Sequence, residues 1–261
     1  MVAGPMPTNE PTVTERAWLR AQRMIGWATF AVVGPGSVFT MRVVRNNRVS
    51  GVEAARRTYR EAIASGRPTL VCANHLTMVD SAFLHWALAP LGEYLVHFRR
   101  FSWNVAAFEH FRKNPFLRTI VFLGKTVPID RGDEAHRKAV LDKIRWLVSR
   151  GEVLTLFPEG QRSRSGRIDP STVTYGVGQI LKDLERPQVL CAYLRGRRQT
   201  GMSSIPARGD TLDLTVELIE PTTELTGLRA ARDLSRQVIA KLKEMEDAWL
   251  ATHQGGAVAN G

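Results

Sequence analysis

Cysteine is scarce. Two occur in 261 residues, Cys72 and Cys191, and both sit inside apolar runs that read as central strands. That number cannot frame a disulfide scaffold, and no Cys/His spacing matches a zinc site, so no metal is expected and two buried, reduced thiols are. There is no dense basic tract and no basic stretch laced with aromatics, which ranks nucleic acid below a membrane surface or an anionic substrate as the partner. The first residues lack a basic region followed by an apolar core, so no secretory signal is read there. No internal repeat is visible.

What the chain has is a core and a positive charge. With 44% hydrophobic residues and no evident linker, it can bury one full core. Lys and Arg number 36 against 25 Asp and Glu, a formal charge of +11. Such an excess favours anionic partners. Residues 1–14, rich in Pro, Thr, Gly and Asn, read as a disordered lead-in, and 253–261 as a disordered tail. Residues 15–50 read as an N-terminal membrane-associated helical segment. Met24 to Met41 is 18 residues without a charge, about 27 Å as a helix and near the lower limit of a bilayer span. Gly34-Pro35-Gly36 should break or kink it. Arginines flank both ends (Arg16, Arg20 and Arg23, then Arg42, Arg45 and Arg48), so no inside–outside bias arises. A bent or re-entrant helical pair in one leaflet, its arginines among lipid head groups, is the expectation. The alternative is a helix pair capping a soluble core.

Residues 51–252 alternate helix and strand patterns. Helices are expected over 52–65, 79–89, 133–150, 172–184 and 228–250, with 99–123 mostly helical and aromatic. Strands are expected over 69–73, 93–98, 125–129, 153–157 and 189–194, and 211–219 alternates like a half-exposed edge strand. The fold class is α/β: a mixed, largely parallel sheet flanked by helices.

Three strand ends carry charge. The first is Asn74-His75-Leu76-Thr77-Met78-Val79-Asp80, set between an apolar strand and an apolar helix. A histidine can take a proton from a hydroxyl, best when a carboxylate fixes its tautomer. Thr77-x-x-Asp80 also reads as a capping box, and His75 as a satisfied core histidine. The second is Phe157-Pro158-Glu159-Gly160-Gln161-Arg162-Ser163. Here Pro158 ends sheet pairing, Gly160 permits a tight turn, and Arg162 offers a planar fork to a phosphate. The third runs from Gly124 to Arg131, where Lys125 and Arg131 can hold an anion or close a salt-bridged strand terminus.

This ordered set resembles the glycerophosphate and lysophospholipid acyltransferases. Their His-x4-Asp motif corresponds to His75 and Asp80, the second motif to Gly124 through Arg131, and Phe-Pro-Glu-Gly with a following Arg-Ser to Phe157–Gly160, Arg162 and Ser163. Thr77 stands where Ser is commoner and Gln161 where Thr is commoner. The apolar-Pro-apolar strand of the fourth motif has no proline here. The resemblance implies that His75 is the general base and Asp80 its orienter. It implies that Glu159 and Gly160 line the acceptor site, and that Arg131 and Arg162, with Lys125 a weaker candidate, neutralise its phosphate. No metal or bound cofactor is implied, because the acyl-CoA or acyl carrier protein thioester is a substrate. The implied partners are membrane lipid and a lysophospholipid, foremost 1-acylglycerol-3-phosphate, at the cytoplasmic face, and no nucleic acid. Another lysolipid acceptor, or a non-catalytic membrane-surface binding protein on the same scaffold, stands as the alternative.

Overall fold

A computed structural model describes residues 10–130 and 132–254. Arg131, most of the expected lead-in and most of the expected tail lie outside the described residues. Where they are described, both ends are helical: α1 begins at Val13, capped by the Thr12 hydroxyl and Glu15, and α8 (Gly227–Gln254) runs past the expected boundary.

One sheet of seven strands organises the described chain. The strands are β1 (Arg48–Ser50), β2 (Thr69–Ala73), β3 (Trp103–Ala107), β4 (Thr126–Ile129), β5 (Leu154–Leu156), β6 (Gln188–Gly196) and β7 (Thr211–Ile219). Their order is β1-β7-β6-β2-β5-β3-β4. From β4 to β6 all neighbours are parallel; β7 is antiparallel to β6, and β1 is parallel to β7. The expected mixed, largely parallel α/β sheet is what forms. β2 and β6 are buried throughout, as their unbroken apolar runs require. Alternate residues face two cores. Leu70 and Cys72 meet α6 (Glu134–Ser149), α7 (Gly176–Leu181) and α8. Val71 and Ala73 meet α1 (Val13–Phe39), α2 (Val52–Ala64) and α3 (Asp80–Leu88). Cys72 and Cys191 are cross-strand neighbours, free and fully buried; burial pushes both thiols up, Cys191 to about 12.

Three expectations need correction. The stretch expected as a strand over 93–98 is α4 (Leu91–Val96), started by Pro90 and fixed by the Tyr94 hydroxyl donating to the His85 carbonyl at 3.0 Å. The stretch expected as helical over 99–123 contains β3, which slots between β5 and β4, before α5 (Pro115–Leu123). The 93–98 run and the Trp103–Ala107 run inside 99–123 are short and mostly apolar, and such runs satisfy either period until the sheet supplies partners. β7 is not a free edge along its whole length, because β1 pairs with Thr211 to Asp213.

The N-terminal segment is one helix rather than a bent pair. α1 continues through Pro35 and passes into a π turn at Thr40–Val44. Proline removes one backbone donor, but Gln22, Gly26, Phe30 and Gly34 recur every fourth residue on one buried face, and this packing carries the helix across the gap. Gly26 is where α1 crosses α5: a Cβ there would lie 3.0 Å from the Leu123 carbonyl oxygen. The opposite face exposes Met24, Ile25, Val32 and Phe39. The helix is long and apolar enough to cross a membrane, with only 22% of its most apolar stretch buried against the protein.

Candidate active site

The site forms at the carboxyl ends of β2, β5 and β6, where an open α/β sheet leaves a crevice. Asn74 continues the ladder with its side chain. Its Nδ2 donates to the Leu194 carbonyl at 3.0 Å and its Oδ1 accepts from the Leu194 N–H at 2.7 Å. The backbone is thereby released to turn one residue later. His75 N–H donates to Glu159 Oε1 at 2.9 Å, and the His75 carbonyl accepts from the Ser163 N–H at 3.0 Å. Ser203 N–H donates to the Leu76 carbonyl, and Met78 N–H to that of Ser204. The turn is held by β6, by the segment after β5 and by the segment before β7.

Within it, His75 Nδ1 lies 3.0 Å from Asp80 Oδ2. The same oxygen accepts the Leu76 and Thr77 N–H groups at 2.7 and 2.8 Å, and Asp80 Oδ1 accepts the Thr77 hydroxyl at 2.5 Å. Four donors fix the buried carboxylate, and the carboxylate fixes the imidazole. The capping-box reading is modified accordingly. The helix cap is Val79, not Thr77; the Thr77 hydroxyl donates to the carboxylate of Asp80, the first residue of α3, and accepts from the Val79 N–H at 3.3 Å. The His75 ring stacks on Phe157, with centroids 4.1 Å apart and planes at 20°. Its side chain stays 22% exposed, and no hydrogen bond involves its Nε2 among the described residues. An oriented imidazole with one nitrogen open at a strand end is the arrangement a general base requires.

Glu159 and Gly160 flank the histidine. Gly160 has φ +69°, and a Cβ there would lie 2.4 Å from Thr174 Cγ2, so both backbone and space call for glycine. Burial pushes the Glu159 carboxyl up to about 7, aided by the nearby Glu246 and Asp80 charges and opposed by the His75 N–H. Near neutrality it exchanges a proton readily. Arg162 is half-buried; one nitrogen donates to the Ser203 carbonyl at 3.2 Å, and no carboxylate pairs with it among the described residues. Its guanidinium therefore remains available to an anion beside His75.

Lys125 does not belong to this group. Its ammonium is 0% exposed and donates to the Phe101 carbonyl at 2.5 Å, to Glu152 at 2.8 Å and to the Phe98 carbonyl at 3.2 Å. It precedes β4, which runs parallel to β3, β5 and β2, so it stands at the amino edge of the sheet, opposite His75. The anion-holding role expected for it is corrected to a buried ion pair. Arg131 lies outside the described residues. β5 and β3 separate β4 from β2, a lateral spacing of about 14 Å. Sequence reasoning missed Asn74, Thr77 and Phe157 as positioning groups. All three lie inside the motifs already singled out, where adjacency to His75 or Glu159 was the available signal. Among the described residues there is no group of three or more His, Cys, Asp or Glu that could hold a metal ion.

A family model described as Acyltransferase matches residues 48–195, more than half of the chain. A 1-acyl-sn-glycerol-3-phosphate acyltransferase of Limnanthes douglasii is 30% identical over 99 residues, covering 38% of this chain and 31% of the relative. The chain thus matches about a third of that curated relative's length.

Proposed function

The chain belongs to the acyltransferase family, and on that premise we propose that it moves a fatty acyl group from an acyl-CoA or acyl carrier protein thioester to a hydroxyl of a lysophospholipid, with 1-acylglycerol-3-phosphate as acceptor and phosphatidic acid as product. The observation that carries the reading is the His75–Asp80 hydrogen bond at the carboxyl end of β2, with the other imidazole nitrogen open. Asp80 accepts the Nδ1 proton, leaving the Nε2 lone pair for the acceptor hydroxyl. As the hydroxyl proton moves to Nε2, the oxygen attacks the thioester carbonyl; the C–S bond then breaks, and the imidazolium returns that proton to the departing thiolate. Glu159 and Gly160 shape the acceptor side, and Arg162, which has no carboxylate partner among the described residues, supports binding of its phosphate. The outer face of α1 lets the protein work on a membrane surface, where a lysolipid and its acyl product reside. α1 is no detachable anchor, since Leu19, Gln22 and Phe30 are core residues.

The test is thiol release from acyl-CoA and from acyl carrier protein across a panel of lysolipids. Wild type should be fastest with 1-acylglycerol-3-phosphate, and His75→Ala should lower kcat by about 10²–10⁴-fold. Equal rates for the two proteins with every donor and acceptor would sink the proposal. A maximum with another lysolipid would move the acceptor and keep the chemistry.

A further inference from the structure

A second charged cluster occupies the amino edge of the sheet, away from His75. A cavity of about 100 Å³ lies there between α1, α6 and the start of β3, roughly the volume of three liquid waters and the scale of one tetrahedral oxyanion rather than an acyl chain. Arg20, Arg23, Arg99 and Arg150 all line it, and Glu152 is the single acid in its wall. That carboxylate is already committed. It accepts from Arg23 at 2.6 Å, from buried Lys125 at 2.8 Å and from the Trp103 indole N–H at 2.9 Å. Arg20, Arg99 and Arg150 have no carboxylate partner among the described residues. Arg150 is held over the Trp146 ring at 5.2 Å, and the Trp146 indole N–H, in the same wall, is buried without a hydrogen-bond partner among the described residues.

Arg20, Arg99 and Arg150 are exposed, so water screens part of the repulsion among these like charges, and an anion entering the cavity would relieve the rest. Guanidinium groups match phosphate oxygens in pairs, and an indole N–H is a further donor. Three of the four arginines also adjoin apolar surface that faces outward. Arg20 and Arg23 precede exposed Met24, Ile25 and Trp27 on α1, and Arg99 follows exposed Leu95 and Val96 of α4. Cations beside such a surface lie at head-group depth when the surface meets a bilayer.

We propose that this cavity is a phosphate-binding site, separate from the acyl-transfer centre, that takes the phosphate of an anionic phospholipid and so seats α1 on the membrane. The site does not depend on the role assigned to His75. Trp103 and Trp146 line it and provide the reporter. Titrating the full chain with inorganic phosphate should give a saturable change in tryptophan fluorescence. The triple variant Arg20→Gln, Arg99→Gln, Arg150→Gln should lose that change while keeping the wild-type thermal melt. His75→Ala should keep it. Flotation with phosphatidylcholine vesicles containing phosphatidylglycerol identifies the source. If the ligand is a lipid head group, the triple variant binds about a hundredfold more weakly. The control Arg57→Gln, Arg229→Gln, Arg236→Gln, which removes equal charge elsewhere, should change binding by less than about threefold. Lost phosphate response with unchanged flotation assigns the same site to free phosphate instead. A phosphate response that survives in the triple variant, or none in wild type, overturns the proposal.

Discussion

His75 and His85 both lie flat against a phenylalanine. The first stacks on Phe157 at 4.1 Å and 20°, the second on Phe101 at 4.0 Å and 27°. Each also makes a short polar contact through one ring nitrogen. What differs is the partner and the solvent. His75 faces the Asp80 carboxylate and is 22% exposed at a strand end. His85 is 8% exposed, and its Nε2 meets the Ser102 hydroxyl at 2.6 Å, which in turn meets that of Thr155 at 2.6 Å. Burial, with the Lys125 charge nearby, depresses the His85 pKa to about 3. It is a neutral strut joining α3, β3 and β5. Stacking and a hydrogen bond therefore do not make a histidine a base; a fixed carboxylate on one nitrogen and access to the other do.

The contrast can be broken most severely at Asp80. Asp80→Asn should lower kcat by about 10³–10⁴-fold with little change in KM, because the imidazole loses its tautomer while the acceptor site is untouched. Steady-state rates per folded molecule measure this, and a loss under tenfold would return Asp80 to a purely structural role. His85→Leu should show the opposite pattern. Leaving Ser102 with one partner fewer costs about 1–3 kcal/mol in urea unfolding at neutral pH, while kcat per folded molecule should stay within about threefold of wild type. The sign of its pH dependence follows from the depressed pKa. Below the ordinary histidine value of 6.5 the unfolded chain takes up a proton that folded His85 refuses until about 3, so wild type loses stability as pH falls through that window. The variant lacks this penalty, and the gap should narrow in acid.

Glu159 gives an effect on stability alone, with the opposite slope. Its carboxyl titrates near 7 when folded and near 4.5 when unfolded. Below 4.5 both states hold the proton and there is no effect. Between the two values only the folded state holds it, so stability falls as pH rises, with the full cost reached above 7. Glu159→Gln, which can still accept the His75 N–H, should match wild type near pH 4.5 and exceed it by about 3 kcal/mol above pH 8. Chemical denaturation at the two pH values decides this, and equal stability at both would remove Glu159 from the buried, titrating surroundings of His75.

Much of the site is legible in sequence because it is local. His75 and Asp80 are joined by a turn too short to separate them, and Phe157 to Gly160 ends a strand in a proline and a glycine. The parallel sheet is legible in its buried runs, above all 69–73 and 189–194. The elements at 93–98 and at Trp103–Ala107 are not legible for a physical reason: five or six mostly apolar residues carry no clear period of their own, and β3 is a strand because β4 and β5 lie on either side of it.

Sequence alone determined the chemistry offered at the carboxyl edge, since motif spacing and strand ends are covalent facts. Tertiary structure decided which charges are spent. Nothing near Lys125 in the chain announces Glu152, yet that pair, with Arg23 of α1, closes the amino edge and withdraws Lys125 from any substrate. The same long-range packing leaves three arginines beside it without a carboxylate among the described residues and keeps α1 whole through Pro35. Burial and ion pairing depend on what the fold brings together across tens of residues, and no local spacing encodes that.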